Sequence, residues 1–263
     1  MKLSYSQLRQ YRLCPRQYEY GTVKKIPRAI TPPESFGASV HNTLKKWGEE
    51  EMRGQGLVVR SQLDLFGEGT TTTGIATQRL LSEQDLLDLW HSSFSVDAYA
   101  TRVEADYALL RGEELLRKFH RWWSREPRRV LAVEKSFSIS LDATLVNGRI
   151  DRVEECADGV RIIDYKTSQP QDQQSIDVDL QLSLYALALR ELYDVPCREI
   201  VMLYLGEEIV ERITQRSNRQ LRDAQVQIRA LEERIASGDY HPTPSAPVCR
   251  RCPYRGICDI AAA

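Results

Sequence analysis

Two short charged segments constrain the fold of this chain more than any other feature. Residues 148–152 read GRIDR and residues 163–167 read IDYKT, and apolar residues alternate around both segments. Alternation with a period of two is typical of strands that bury one face. The segments therefore predict paired strands in which Asp151, Asp164 and Lys166 project from the same side of a sheet.

Two turn signals predict how these strands are connected. The Asn-Gly pair at 147–148 favours a tight turn after a first strand, and the Asp-Gly pair at 158–159 favours a second turn. With residues 158–159 as the turn, Asp151 lies opposite Lys166 in the predicted register. The expected result is a meander whose second and third strands carry the charged residues.

Two carboxylates and one lysine on a sheet face can hold a divalent metal beside a phosphate group. Carboxylate oxygens suit Mg²⁺ and Mn²⁺. The alternative is a surface hairpin with an exposed Asp–Lys ion pair, which contributes little to stability. Glu134 is a further candidate ligand, although strict alternation favours an outward-facing side chain at that position.

Two predicted helices flank the strands. Apolar residues recur at helical spacing over residues 36–47, and His41 lies beside that stripe. A histidine in such a position is more often a packed residue than a metal ligand. In the apolar segment 178–193, Gln181 and Tyr185 are four residues apart and share one helix face.

In this order, the segments resemble the motifs of the RecB-like branch of the PD-(D/E)XK nuclease superfamily. The matching pieces are FGxxVH at 36–41, GRIDR at 148–152, IDYKT at 163–167 and QxxxY at 181–185. Ile150 stands where the superfamily name places a proline, which is usual in this branch. The resemblance implies one α/β nuclease domain over residues 1–263, with a restriction-endonuclease-like core in which helices flank a mixed β-sheet.

The resemblance also implies residue roles. The implied metal ligands are the side chains of His41, Asp151 and Asp164 and the backbone carbonyl of Tyr165. Lys166 would orient or activate the attacking water and neutralise phosphate charge, while Gln181 and Tyr185 would position the substrate strand. The implied cofactor is Mg²⁺ or Mn²⁺, and an imidazole ligand favours Mn²⁺.

Six cysteines form the second informative pattern. No apolar signal segment precedes Cys14, so a reducing, cytoplasmic location is expected and structural disulfides are not. Cys249, Cys252 and Cys258 lie in a loop rich in proline, and three thiols are one short of a complete four-cysteine site. Cys14, where Pro15 interrupts an N-terminal helix, is the best fourth ligand. Spacing alone leaves zinc and a [4Fe-4S] cluster open.

One distal cysteine followed by Cys-x2-Cys-x5-Cys resembles the iron–sulfur arrangement of AddB-type nuclease domains and CRISPR-associated RecB-like nucleases. The resemblance implies a [4Fe-4S] cluster on residue 14 and the loop 249–258. Such a cluster would close nearly the whole chain into one loop, which in theory removes much entropy from the unfolded state. Cys156 and Cys197 are expected to be buried small residues.

Charge and composition refine this picture. The net charge of −1 provides no global basic field, which argues against a simple non-specific nucleic-acid-binding protein. Residues 1–28 nevertheless carry a local net charge of +6, and three arginines lie in the cysteine loop. If a cluster joins the two chain ends, these charges form one patch suited to phosphates. The tryptophans at 122–123 could stack on single-stranded bases, although buried tryptophans are more common.

Residues 54–129 are expected to form an insertion. A Gly- and Thr-rich loop over 54–74 precedes a helical subdomain over 82–123, which could cap the active site and admit only free strand ends. Residues 201–205 and 209–213 predict two further strands, and an apolar stripe over 221–235 predicts a final amphipathic helix. No segment is long and apolar enough to predict a membrane partner.

These observations favour a metal-dependent DNA nuclease, more an exonuclease than an endonuclease, acting on single-stranded DNA or DNA ends. The resemblance implies a role in DNA repair, recombination or CRISPR adaptation. The expected partners are a helicase or CRISPR adaptation proteins, and an oligomer is compatible with this branch. One alternative is a DNA-end-binding module of a helicase–nuclease complex with little activity alone, and another is an iron–sulfur redox protein. The intact Asp151, Asp164 and Lys166 argue against both, because neither role requires them.

Overall fold

The computed structural model describes residues 1–55, 81–141, 144–193 and 196–262, with the side chains of residues 192–193 excepted. The chain divides into two compact units. The first contains Met1–Ile30, Phe137–Gly148 and Ser217–Ala263, and the second contains Thr31–Ser136 and Arg149–Arg216. Among the helices that the structure describes, none combines the length and the apolar character needed to span a membrane.

The predicted helices and late strands are confirmed in type and place. The helices are α1 (Tyr5–Leu13), α2 (Pro15–Tyr18), α3 (Pro32–Gly54), α4 (Glu83–His91), α5 (Arg102–Trp123), α6 (Gln173–Asp177), α7 (Leu180–Tyr193), α8 (Asn218–Ala236) and α9 (Ala246–Cys249), with a π-helical turn at Glu19–Val23 and a 3-10 turn at Arg255–Ile257. The strands are β1 (Lys2–Ser4), β2 (Val130–Leu141), β3 (Thr144–Cys156), β4 (Gly159–Lys166), β5 (Cys197–Leu205) and β6 (Ile209–Thr214).

A mixed sheet organises the second unit. Its strands follow the order β3-β4-β5-β6, and β2 also pairs with β3. The β3–β4 and β5–β6 pairs are antiparallel, whereas β4 and β5 are parallel. Parallel neighbours require a crossover connection, which α6 and α7 provide. The predicted mixed sheet with flanking helices is therefore present.

The predicted turn at Asn147 and Gly148 is wrong, because both residues lie inside β3. The link between β2 and β3, residues 142–143, lies outside the described part of the chain. Gly148 instead permits close packing, since a Cβ atom there would lie 2.2 Å from Cζ of Phe137. The β-branched residues just before this pair favour a strand, and their packing overrides the turn tendency of an Asn-Gly dipeptide.

The second predicted turn is present but displaced by one residue. Cys156 pairs with Gly159, so the turn residues are 157–158 rather than 158–159. Asp158 adopts a φ of 59°, a left-handed conformation that aspartate tolerates better than most residues. The glycine that usually marks such a turn here begins β4.

The displaced turn changes the register between β3 and β4 by two residues. The ladder pairs Arg152 with Ile163, which places Asp151 level with Asp164 rather than with Lys166. The predicted register is therefore wrong. Because side chains alternate with a period of two, this slip leaves the three charged residues on the same face of the sheet.

The core of the second unit joins helices to the sheet. It includes Val40 and Trp47 of α3, Phe119 of α5, Tyr165 of β4 and Leu203 of β5. The apolar stripe predicted for α3 is thus its buried face. The insertion expected over residues 54–129 stays a prediction. Residues 56–80 of that range lie outside the described part of the chain.

The tryptophans at 122–123 belong to this core and do not form a surface for base stacking. Both side chains are buried, and the Arg128 guanidinium lies 4.3 Å and 4.7 Å from the two ring centres. Arg128 is therefore engaged in cation–π contacts with both rings. The alternative that the sequence favoured, tryptophans in the core, is confirmed.

A buried ion-pair network next to Trp123 connects α3 to β3. Arg152 of β3 is 1% exposed, and its Nη1 atom lies 2.6 Å from Oε2 of Glu51 on α3. Its Nε atom lies 2.7 Å from Oε1 of Glu154, and the guanidinium covers the Trp123 ring at 4.1 Å. A buried charge is tolerated only when it is paired in this way.

The first unit contains both ends of the chain. β1 runs parallel to the first residues of β3, with Lys2 beside Leu145. Tyr11 of α1 donates a hydrogen bond to the carbonyl of Asp239 at 2.5 Å, and Tyr254 donates to the carbonyl of Ile26 at 3.2 Å. These contacts bring the N-terminal helices against the C-terminal segment.

We predict that Arg152→Met lowers the free energy of unfolding by about 3–5 kcal/mol, because it leaves the largely buried carboxylate of Glu51 without its cation and leaves Glu154 with the longer contact to Arg128 at 3.4 Å. Denaturant unfolding followed by tryptophan fluorescence measures this change. Arg129→Met is the matched control: its ion pair with Glu155 is exposed, and its loss is expected to cost at most about 1 kcal/mol. A similar small loss for both variants would contradict the prediction.

Candidate functional site

Three potential metal ligands from three different elements converge in the second unit. His41 comes from α3, Glu134 from β2 and Asp151 from β3, and one ligand atom of each lies within 4.8 Å of the others. Nδ1 of His41 is 3.4 Å from Oδ2 of Asp151. One imidazole and two carboxylates form a donor set that suits Mn²⁺ or Mg²⁺, so these residues fit a divalent cation.

Glu134 does not face outward as strict alternation predicted. Its backbone has a φ of 51°, which is uncommon for a residue with a side chain and interrupts the period-two pattern of β2. The side chain is 14% exposed, and its Oε2 lies 2.7 Å from Nε of Arg149. Burial raises the pKa of this carboxyl, and the charge of Asp151 raises it further.

Asp151 is held in place from two sides. Its Oδ2 atom accepts a hydrogen bond from the backbone N–H of Tyr165 at 2.9 Å. Burial alone would raise the pKa of Asp151, but the hydrogen bond and charge of His41 lower it below the usual value. Conversely, burial would lower the pKa of His41, and Asp151 raises it. Each member of the pair therefore favours the charged form of the other.

The second group of predicted residues forms a closed ring of polar contacts. The Lys166 ammonium contacts Oδ2 of Asp164 and donates to Oε1 of Gln181 at 3.2 Å. Nε2 of Gln181 donates to the Tyr185 hydroxyl at 2.6 Å, and that hydroxyl donates to Oδ1 of Asp164 at 3.0 Å. The two residues predicted on one face of α7 therefore meet the charged residues of β4.

Burial and charge set the protonation of this ring. Burial would lower the pKa of Lys166, but Asp164, Asp151 and Asp179 raise it above the usual value, so the ammonium form is favoured. Burial raises the pKa of Asp164. Oδ2 of Asp164 is buried, and its contact is with the Lys166 ammonium.

The two groups belong to one site. The charges of Asp164 and Lys166 both influence the pKa of His41, which requires that they lie close to it. Asp151 and Asp164 occupy neighbouring strands at the same level of the sheet. Tyr165 contributes its backbone N–H to Asp151, and the metal-ligand role of its carbonyl stays a prediction.

The four cysteines selected from the sequence line one cavity in the first unit. Its wall contains Cys14, Cys249, Cys252 and Cys258, together with Arg16, Arg255 and two tyrosines among others. Burial raises the pKa of the Cys252 thiol, and the other three cysteines raise it further. Four thiols that repel one another when ionised fit a shared cationic centre.

The remaining two cysteines lie elsewhere. Cys156 ends β3 and Cys197 begins β5, in the second unit. Both are only partly exposed to solvent rather than buried, so the prediction of two buried cysteines is wrong. Burial nevertheless raises the pKa of Cys197 to about 12, which disfavours the reactive thiolate. All six cysteines are free of disulfide bonds.

Comparisons with known proteins agree with this architecture. The sequence matches the family model of the PD-(D/E)XK nuclease superfamily over residues 2–259. It is 26% identical over 274 residues to the Gene 69 protein of Mycobacterium phage D29, across 98% of this chain and 96% of that protein. It is 25% identical over 303 residues to the Gene 69 protein of Mycobacterium phage L5, with the same coverage.

A solved structure provides the third comparison. The crystal structure of a predicted exonuclease from Eubacterium rectale aligns with a TM-score of 0.54 and 10% identity, across 99% of this chain and 89% of that chain. At this identity the likeness concerns the fold alone. It confirms the predicted restriction-endonuclease-like arrangement of a mixed sheet and flanking helices. Because the family match extends over nearly its whole length, this chain belongs to the PD-(D/E)XK nuclease superfamily.

Proposed function

We propose that this nuclease is a divalent-metal-dependent deoxyribonuclease and that it acts as an exonuclease. The observation that carries the proposal is the convergence of His41, Glu134 and Asp151 on one point, beside the contact between Asp164 and Lys166. A DNA-end-binding module or an iron–sulfur redox protein would have no use for this arrangement. The nuclease superfamily supports phosphodiester hydrolysis as the reaction.

The proposed metal ligands are His41, Glu134, Asp151 and Asp164, with the carbonyl of Tyr165. Glu134 is an addition to the ligands implied by the sequence. Asp164 is included because its Oδ2 is buried beside the Lys166 ammonium and its strand neighbours Asp151 at the same level of the sheet. When bound, Mg²⁺ or Mn²⁺ lowers the pKa of a coordinated water and polarises a phosphoryl oxygen.

Lys166 is the proposed catalytic cation. Its raised pKa keeps the side chain protonated near neutral pH, so it acts through charge and hydrogen bonding rather than as a ready base. An ammonium at this position can orient a water molecule and stabilise the negative charge that develops on the phosphate. Asp164 holds the ammonium from one side and Gln181 from another.

Gln181 and Tyr185 are proposed to act by holding Asp164 and Lys166. Tyr185 is 2% exposed, and its hydroxyl is engaged with Asp164. A side chain buried to that degree orients its neighbours more readily than it contacts a DNA strand. Gln181 is less buried and bridges Lys166 to Tyr185, so a contact with the substrate strand remains part of its proposed role.

The substrate is proposed to be single-stranded DNA or DNA with a free end. The structural neighbour is named as a predicted exonuclease, which supports an end-dependent mode. A role in DNA repair, recombination or CRISPR adaptation, partners such as a helicase or CRISPR adaptation proteins, a cytoplasmic location and an oligomeric assembly are all proposals that rest on the family resemblance.

The four-cysteine cavity is proposed to hold a [4Fe-4S] cluster. The supporting observation is that Cys14 lines the same cavity as three cysteines that lie more than 230 positions later in the sequence. A cluster there would staple the two ends of the first unit. Zinc fits the same donor set and is the alternative that metal analysis distinguishes.

Lys166→Ala is expected to reduce the rate of Mn²⁺-dependent DNA cleavage by at least about 100-fold, because it removes the cation that stabilises the transition state. The measurement is product release from end-labelled DNA, single- and double-stranded, linear and circular. DNA affinity in EDTA should change little. Arg102→Ala, which removes an exposed cation on α5 of the same unit, is the control. Equal cleavage by Lys166→Ala and wild type would reject the proposed site.

Glu134→Gln is expected to raise the Mn²⁺ concentration for half-maximal activity by at least about tenfold, because an amide is a poorer ligand than a carboxylate. Metal titration of cleavage measures the change, and direct Mn²⁺ binding should weaken in parallel. Glu155→Gln on β3, with an exposed ion pair, serves as the control. An unchanged metal requirement would remove Glu134 from the ligand set.

Cys252→Ala is expected to yield colourless, less stable protein, whereas anaerobically purified wild type should be brown and contain about four iron and four sulfide ions per chain. Cys156→Ala is the matched control and should retain the colour, because this residue is outside the cavity. One zinc ion per wild-type chain, without sulfide, would replace the cluster proposal with a structural zinc site.

A further inference from the structure

Charge is unequally divided between the two units. The first unit carries fourteen lysines and arginines against seven acidic residues, a net charge of +7. The second unit carries 22 basic and 30 acidic residues, a net charge of −8. The nearly neutral chain therefore combines an acidic unit, which holds the proposed metal site, with a basic unit that does not.

Unpaired arginines concentrate the positive charge of the first unit in two segments. α1 contains no acidic residue, and Arg9 and Arg12 are exposed on it. Residues 240–258 also contain no acidic residue, and three exposed arginines lie in that stretch. They are Arg250, Arg251 and Arg255. By contrast, Arg16 and Lys24 share Glu19, at 3.1 Å and 2.9 Å.

The two segments meet at the four-cysteine cavity. Arg12 lies two residues before Cys14, which lines the cavity, and Arg255 lines it directly. The side chain of Thr243 donates to the backbone carbonyl of Leu13 at 3.3 Å, which holds the C-terminal segment against the end of α1. We call Arg9, Arg12, Arg250, Arg251 and Arg255 the basic surface. Within the described parts of the chain, none of these five forms an ion pair.

We infer that the basic surface binds the sugar–phosphate backbone of single-stranded DNA. Exposed cations without protein partners displace the counterions condensed on DNA phosphates, and the release of these counterions drives binding. The acidic second unit repels DNA, so the attraction must come from elsewhere in the chain. The inference relies on the proposed function only for the choice of DNA over other polyanions.

A metal cluster would engage only part of this positive charge. Arg16 and Arg255 line the cavity and would neutralise anionic thiolates and sulfides there. Arg9 and Arg12 project from α1 and are not part of the cavity wall. They remain available to phosphates, and their removal leaves the cavity intact, which makes them the positions to test.

The test is a double variant, Arg9→Ala with Arg12→Ala. Alanine is the strongest helix former, so α1 is retained. The matched control, Arg102→Ala with Arg219→Ala, removes two equally exposed arginines that already pair with acids four residues later. Fluorescence anisotropy with a labelled 20-nucleotide single strand gives Kd in EDTA at several salt concentrations. Iron content and unfolding temperature should match wild type in both proteins.

The Arg9/Arg12 variant is expected to bind about tenfold more weakly near 100 mM salt, and the control less than twofold. The slope of log K against log salt should fall by about 1.4, because two phosphate contacts of about 0.7 each are lost. Equal affinity and slope in the variant and the control would overturn the inference. Retained DNA binding with lost binding to phosphatidylglycerol vesicles would also overturn it and assign the surface to a membrane.

The outcome is separable from the proposed function. If wild type binds DNA through these arginines but does not cleave it with any divalent metal, the nuclease proposal fails and the basic surface stands. If cleavage proceeds and the Arg9/Arg12 variant has unchanged KM and Kd, the surface fails and the nuclease stands. If both hold, the variant raises KM for DNA while kcat remains unchanged, because the metal site lies in the other unit.

Discussion

The pairing of buried charges on the two faces of β3 is the interaction on which the second unit depends. Asp151 and Arg152 are consecutive, so their side chains leave the strand in opposite directions. On one face Asp151 meets His41 and the backbone of Tyr165, and on the other Arg152 meets Glu51. Both His41 and Glu51 belong to α3. A single helix is therefore bound to a single strand through two charged contacts, and the geometry of the proposed metal site follows from this packing.

The same principle explains why the proposed catalytic site includes residues of α7. Asp164 and Lys166 are largely buried, and burial of a charge is costly unless partners are present. Gln181 and Tyr185 provide those partners from the crossover helix, which the parallel β4–β5 pair requires for topological reasons. The crossover thus completes the fold and also fixes the proposed catalytic lysine. Gln181 and Tyr185, which the sequence predicted to contact the substrate, contact Lys166 and Asp164 in the structure.

The two units place opposite demands on electrostatics. A site that holds a divalent cation needs carboxylates, and a protein that binds DNA needs cations. Here the two requirements are met by different units, with net charges of −8 and +7. The cysteine cavity lies in the basic unit and gathers segments from both chain ends. The proposed cluster would organise the basic surface, and the proposed metal site lies in the acidic unit.

Local periodicity in the sequence determined which residues share a face. The grouping of Asp151 with Asp164 and Lys166, and of Gln181 with Tyr185, follows from the geometry of strands and helices and survived a two-residue error in register. Tertiary packing decided the rest. Phe137 packs over Gly148 and keeps it in a strand, and only the long-range convergence of α3, β2 and β3 brings Glu134, with its positive φ, to His41. Register and convergence depend on contacts between distant segments, which no local pattern encodes.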